Sequence, residues 1–134
     1  MVELVEITAR EAWNMLRKDG RAVLLDVRSE PEWEFVGFPL VDSYLQISWR
    51  RWPEMEINPD FAAELEASGV LPDTPLLLMC KAGVRSREAG EFLLERGFSR
   101  CFNIGDGFEG RRDGAGRRRR IDGWVAAGLP WMQC

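Results

Sequence analysis

Two rhythms run along the chain: short, continuous apolar runs, and longer stretches with apolar residues three or four positions apart. The run from Leu76 through Met79 follows Pro75 and stops at Cys80. It is too short for a helix, which predicts a buried central strand. Behind Ser86, the residues Ala89, Phe92, Leu93 and Arg96 fall at helical spacing, and Gly97 supplies the stop. Residues 4–7 predict a short first strand. Thr8 and Glu11 have the spacing of a capping box, and Ala12, Met15 and Leu16 continue an amphipathic helix to Gly20. Residues 22–27 are apolar except for Asp26 near the end, as in a strand covered on both faces.

The remaining stretches are less regular. Ser29 or Glu30 starts a short helix through Trp33 and Phe35, closed by Gly37. Residues 40–47 predict a third strand, interrupted by Asp42 and Ser43. Residues 48–59 read as a long loop, in which Trp49 or Trp52 either walls a site or, the stronger reading, packs into the core. Asn58 and Pro59 suit the cap and first position of a helix that Phe61 and Leu65 carry to Gly69, with a turn over 71–74. Residues 100–104 predict the last strand. Residues 122–127 predict a short final helix before Gly128 and Pro130, with Trp131 packing back. Strands alternate with helices, so the expected fold class is α/β: a central, largely parallel sheet of about five strands flanked by helices on both faces. No repeat or linker divides the chain, and one domain over 1–134 is expected.

Chemistry concentrates where the central strand meets the next helix. Cys80 opens a tight loop that feeds a helix N-terminus, where unpaired N–H groups and the helix dipole favour an anionic sulfur. Gly83 lets the loop turn back and form an anion-binding nest, and Arg85 adds a fixed charge with a fork of donors. The chain contains no histidine, which excludes a Cys-His pair, a Ser-His-Asp triad and His-ligated metal sites. The bland alternative is a buried thiol at a strand end. Asp26 and Arg28 sit just past another strand end, where open α/β sheets place their crevices; a structural ion pair is the main reading.

The composition, 46% hydrophobic over 134 residues, is enough for a real core. A net charge of −4 argues against general nucleic-acid binding, and no apolar stretch is long enough to span a membrane. The N-terminal stretch has neither a basic region nor a long apolar core, so no leader is expected and the location should be cytoplasmic. Cys80, Cys101 and Cys134 form neither a disulfide framework nor a zinc pattern. Cys101 reads as a buried strand cysteine, with a resolving thiol for Cys80 as the lesser alternative. Six arginines between 111 and 120 read first as a solvated loop and second as a device that steers an anion.

The segment Cys80, Lys81, Ala82, Gly83, Val84, Arg85, Ser86 resembles the active-site loop of the rhodanese family of sulfurtransferases. Leu25-Asp26-Val27-Arg28 followed by Glu32-Trp33, Gly97-Phe98 leading to Asn103-Ile104-Gly105-Asp106-Gly107-Phe108, and Gly128-Leu129-Pro130-Trp131 fit the same family. Two stretches depart from its usual pattern: Gly37-Phe38-Pro39-Leu40, and Asp106-Gly107 in place of a glycine pair.

The resemblance implies a sulfurtransferase in which Cys80 takes the outer sulfur of thiosulfate or another persulfide donor and passes it to cyanide or to a thiol acceptor, a thiol protein included. Backbone N–H groups of Lys81, Ala82, Gly83, Val84, Arg85 and Ser86 would hold the transferred sulfur. Arg85 would attract the donor, Lys81 either helps it or faces solvent, and Ser86 caps the helix if it does nothing more. No cofactor, metal, nucleic acid or membrane is implied, and the oligomeric state leaves no mark in the sequence. The alternatives are a persulfide carrier or thiol-sensing module, and a cysteine-dependent phosphatase or arsenate reductase. The last is disfavoured because only four residues separate Cys80 from Arg85, a cradle better matched to one sulfur than to a tetrahedral oxyanion.

Overall fold

The computed structural model describes residues 3–134; Met1 and Val2, part of the N-terminal stretch discussed above, lie outside them. In chain order the elements are β1 (Val5–Ile7), α1 (Ala9–Lys18), β2 (Val23–Asp26), a single π-helical turn (Glu32–Val36), β3 (Phe38–Pro39), β4 (Tyr44–Gln46), β5 (Arg50–Arg51), β6 (Glu56–Ile57), α2 (Phe61–Ala67), β7 (Leu76–Met79), α3 (Val84–Glu95), β8 (Cys101–Ile104) and β9 (Trp131–Met132). Five strands form one parallel sheet in the order β1-β8-β7-β2-β4. The strand read from the densest apolar run, β7, lies at its centre, between β2 and β8.

Side chains alternate across this sheet with period two. Leu25, Leu76 and Leu78 enter one apolar layer with Phe61 and Leu65 of α2 and Ala89 and Leu93 of α3. Leu24, Leu77 and Met79 enter the other, with Ala9 and Ala12 of α1 and with Phe108, Trp124 and Leu129. All four residues of β7 are fully buried. Each is worth roughly 1.5–3 kcal/mol of burial, so the strand is pinned in place by both layers.

Local signals explain the α1 start. Thr8 accepts from the Glu11 amide, and the Glu11 carboxylate accepts from the Thr8 amide at 2.9 Å. Asp106 adds a third tie, accepting from the Ala9 amide at 2.8 Å and the Gly123 amide at 3.0 Å. The aspartate that departs from the family's glycine pair therefore joins the first helix to the last turns. Burial pushes its carboxyl above the usual carboxylate range, against those two amides.

Several expectations need correction. The third strand expected over 40–47 is only β4, and Phe38–Pro39 pairs instead with Trp131–Met132 in a separate antiparallel ribbon. The helix expected from Ser29 or Glu30 is the π-type turn, closed at Gly37 as anticipated. The long loop over 48–59 contains the hairpin of β5 and β6. Asp60, not Asn58, precedes the first residue of α2; Asn58 Oδ1 instead accepts from the Asp60 amide at 2.9 Å. Residues 122–127 are consecutive turns rather than a helix, with Gly123 at φ +96 against the backbone of Glu109 and Gly110, a path no regular helix follows. No helix among the described residues is long and apolar enough to cross a membrane.

Candidate active site

The carboxyl end of β7 delivers Cys80 beneath the start of α3. Gly83 makes the turn at φ +99, a conformation that favours glycine. A β-carbon there would lie 2.4 Å from the Gly105 carbonyl oxygen, so the backbone of this loop and that after β8 touch directly. The turn aims the Gly83 amide at Cys80 Sγ, with N···S 3.1 Å. Helix α3 begins at Val84, so Arg85 and Ser86 belong to its first turn rather than to the loop before it. Ser86 does not cap the helix, which has no side-chain cap; its Oγ lies 3.1 Å from Cys80 Sγ.

Ser86 is one member of a buried chain of polar groups. Its hydroxyl donates to Asn103 Oδ1. The Asn103 amide nitrogen donates to both Glu6 carboxylate oxygens at 3.0 Å and to the Gly83 carbonyl at 3.2 Å. Three acceptors thus fix the amide, leave Oδ1 facing Ser86, and turn a Ser86 lone pair towards the sulfur. Sequence reasoning missed Glu6 and did not single out Asn103. The available signal was a polar residue inside an otherwise apolar last strand, since a buried amide demands partners.

Arg85 is not free. Its two terminal nitrogens grip the Glu32 carboxylate at 2.6 and 2.9 Å, with both side chains 17% exposed. Burial works against the Glu32 anion, but the Arg85 fork and two donors from Ser29 prevail and hold its carboxyl at about 2. Arg85 is likewise raised: burial opposes its charge, while Glu32 and then the Cys80 sulfur favour it.

Asp26 and Arg28 form the structural pair expected of them. Arg28 meets both Asp26 oxygens at 2.9 and 2.8 Å, donates to the Gly37 carbonyl, and lies 4.3 Å over the Phe108 ring. Tyr44 adds a donor to Asp26 at 2.7 Å, and its own phenol is raised by burial and by that neighbouring carboxylate. One Arg28 nitrogen, Nη1, is buried without a partner among the described residues.

Around the mouth, Trp49 is buried against Phe61 and Phe92, as the core reading required. Trp52 is exposed and lines a cleft of about 370 Å³ with Phe35, Met55, Arg85 and Lys81. Cys101 is a buried strand cysteine whose thiol burial pushes up to about 12. It pairs in register with Leu76, four residues before Cys80, which places it ~13 Å down the sheet, beyond disulfide reach. The arginine segment follows a stretch stitched to the Cys80 loop: the amides of Phe108, Glu109 and Gly110 donate to the carbonyls of Cys80 and Lys81 at 2.9–3.2 Å.

The pattern described as the Rhodanese-like domain matches residues 8–112. The chain belongs to the rhodanese-like family. Its structure superposes on the crystal structure of Rv0390 from M. tuberculosis with a TM-score of 0.89, at 38% identity over 100% of both chains. An uncharacterized protein of Rickettsia prowazekii is 32% identical over 94% of this chain and 95% of its own length. The thiosulfate sulfurtransferase GlpE of Actinobacillus succinogenes is 29% identical over 93% of this chain and 87% of its own. The rhodanese-like match takes in the Cys80 loop, Glu32 and Asn103, and ends before the arginines at 117–120.

Proposed function

We propose that the protein is a sulfurtransferase that carries a sulfane sulfur on Cys80. One observation carries the reading: the Gly83 amide, at the N-terminus of α3, points at Cys80 Sγ from 3.1 Å. The Cys80 thiolate attacks the outer sulfur of thiosulfate or a persulfide donor. A sulfur–sulfur bond forms as the donor's breaks, and sulfite or the donor thiolate leaves with the electron pair. Gly83 and the neighbouring amides of Lys81, Ala82, Val84, Arg85 and Ser86 receive the charge of the resulting persulfide. Ser86 turns its hydroxyl proton from Asn103 to the sulfur when the sulfur is anionic. An acceptor thiolate, or cyanide, then takes the terminal sulfur and returns Cys80 as thiolate.

Arg85, held by Glu32, contributes a fixed positive field and a rigid wall more than a free hand for the donor. The kinship with thiosulfate sulfurtransferase GlpE supports the same chemistry. All three cysteines are free, and a reducing cytoplasm would keep Cys80 so. Incubation with thiosulfate, followed by intact-mass measurement, should show a gain of one sulfur that Cys80→Ser abolishes, and cyanide should release it as thiocyanate. A loaded protein that never passes sulfur on would make it a carrier instead. Absence of loading from thiosulfate and from a small persulfide would defeat the proposal.

A further inference from the structure

The arginine segment is a built feature of the active-site rim. A chain of net charge −4 gathers six arginines and one aspartate into ten residues. Of the six, only Arg111 forms an ion pair among the described residues, with Asp122 at 2.9 Å. The backbone beneath is fixed rather than loose. Asp113 accepts from the amides of Ala115 and Arg117, Arg119 donates its amide to the Glu109 carbonyl, and Arg118 donates from Nη1 to the Gly110 carbonyl. Arg119 itself holds φ +68, a conformation costing a non-glycine residue on the order of 1 kcal/mol. The result is a cavity of about 540 Å³ whose cations are Lys81, Arg112, Arg117, Arg118, Arg119 and Arg120, with Glu109 as its one carboxylate.

Lys81 and Glu109 also line the cleft walled by Phe35, Trp52 and Met55. Two cavities of opposite character therefore meet at the residue next to Cys80, one with apolar walls and one strongly basic. Thiosulfate, a dianion, needs far less positive charge than this. Cys80 is 1% exposed, so a reacting partner must reach it on a slender arm, and the charge lines an open depression beside that approach. Each phosphate carries more charge than a carboxylate in little volume, and the planar fork of arginine matches its oxygens.

We propose, building on the sulfurtransferase reading, that the thiol or persulfide served by Cys80 is a small phosphate-bearing one. Its sulfur arm passes the Phe35–Trp52 cleft while its phosphates sit among Arg117, Arg119 and Arg120. The run at 117–120 lies beyond the family match.

The probe pair is coenzyme A and pantetheine, which share a thiol arm and differ in phosphates. With persulfidated protein, coenzyme A should be preferred in kcat/KM by at least about tenfold at low salt, and the preference should shrink as salt rises. In the triple variant R117Q/R119Q/R120Q the two thiols should approach parity. Equal use by the unaltered protein, with Cys80 still loading sulfur, would overturn this inference and leave the enzyme reading standing. A second arm needs no turnover: Cys80→Ser protein should bind inorganic tripolyphosphate saturably in calorimetry, in competition with coenzyme A, and the triple variant should not. Failure to bind overturns the inference whether or not the protein loads sulfur. Preference for an acidic peptide over coenzyme A would also overturn it and assign the loop to a protein partner.

Discussion

Cys80 and Cys101 are each 1% exposed and belong to the same apolar layer, yet only one is surrounded by anything that can stabilise charge. Cys101 lies within β8 beside the first residue of β7, and among the described residues its thiol's one polar contact is a 3.8 Å approach to the Phe98 carbonyl, an acceptor. Cys80 lies one residue beyond the other end of β7, where strands in open parallel sheets run out into loops and helix N-termini. There it meets an amide donor and a hydroxyl at 3.1 Å, with the Arg85 cation nearby. Burial is thus no guide to reactivity here; position along a strand decides which dipoles a thiol faces. Substitutions around Cys80 should carry chemical cost, and those around Cys101 only packing cost.

The hardest test of this contrast is Gly83→Ala. Alanine is strained at φ +99, and its β-carbon would meet the Gly105 carbonyl oxygen at 2.4 Å, so the turn must shift and carry its amide off the sulfur. Strain and lost amide together should lower sulfur-transfer kcat/KM by roughly 100-fold, in the range seen when one oxyanion-hole donor is removed. Cys80 should still accept a thiol label in the unfolded protein. A near-normal rate would show that the Gly83 amide has no part in the chemistry.

The same geometry explains what could be read from the sequence. The parallel α/β sheet was legible because β7 is apolar throughout and β2 is apolar up to its last residue, Asp26, a pattern with few alternatives. Cys80 was legible because it is local: strand end, Gly83 turn and helix start follow one another within seven residues. Partners brought in by the fold were not. Glu6 reaches Asn103 across 97 positions and Glu32 reaches Arg85 across 53, and no spacing rule links such pairs. Short elements also escaped, since β3 and β9 are two residues each and exist only because the C-terminal segment folds back onto residues 38–39. The arginine run was visible, but its attachment to Lys81 depends on backbone hydrogen bonds with no side-chain signature.

Glu32→Gln comes next in size. It leaves the largely buried Arg85 without its counter-charge, which should cost on the order of 2–3 kcal/mol of stability near neutral pH. The pH dependence has a definite sign. Glu32 titrates near 2 in the folded protein against 4.5 in its ordinary state, so its pairing stabilises fully above about pH 4.5. That contribution fades as acid protonates the folded carboxylate towards pH 2. Denaturant melts of both proteins should therefore differ most above pH 4.5 and converge towards pH 2. A gap independent of pH would mean that the carboxylate's charge is not what holds Arg85.

Ser86→Ala should be milder. It removes the hydroxyl beside Cys80 Sγ and leaves Asn103 Oδ1 buried without its donor, at a cost of about 1–3 kcal/mol in stability. The Gly83 amide remains, so the rate of sulfur loading should fall only about tenfold. Rescue by Ser86→Thr, but not by Ser86→Cys, would tie the effect to the hydroxyl. Equal activity of the alanine variant would confine Ser86 and Asn103 to holding the Gly83 carbonyl in place.

The smallest effect should come from Cys101→Ala, and it closes the comparison from the other side. The substitution removes one sulfur from a tightly packed layer and forfeits a single long contact to Phe98, so it should cost roughly 1 kcal/mol of stability. Because Cys101 lies at the opposite end of β7, the rates of persulfide formation and discharge at Cys80 should stay within about twofold, the scatter expected of an independent site. A resolving thiol would behave differently: its removal would lengthen the persulfide's lifetime and abolish any internal disulfide after oxidation. Peptide mapping of the oxidised protein would expose such a bond directly, and finding it would overturn the assignment of Cys101 to packing alone.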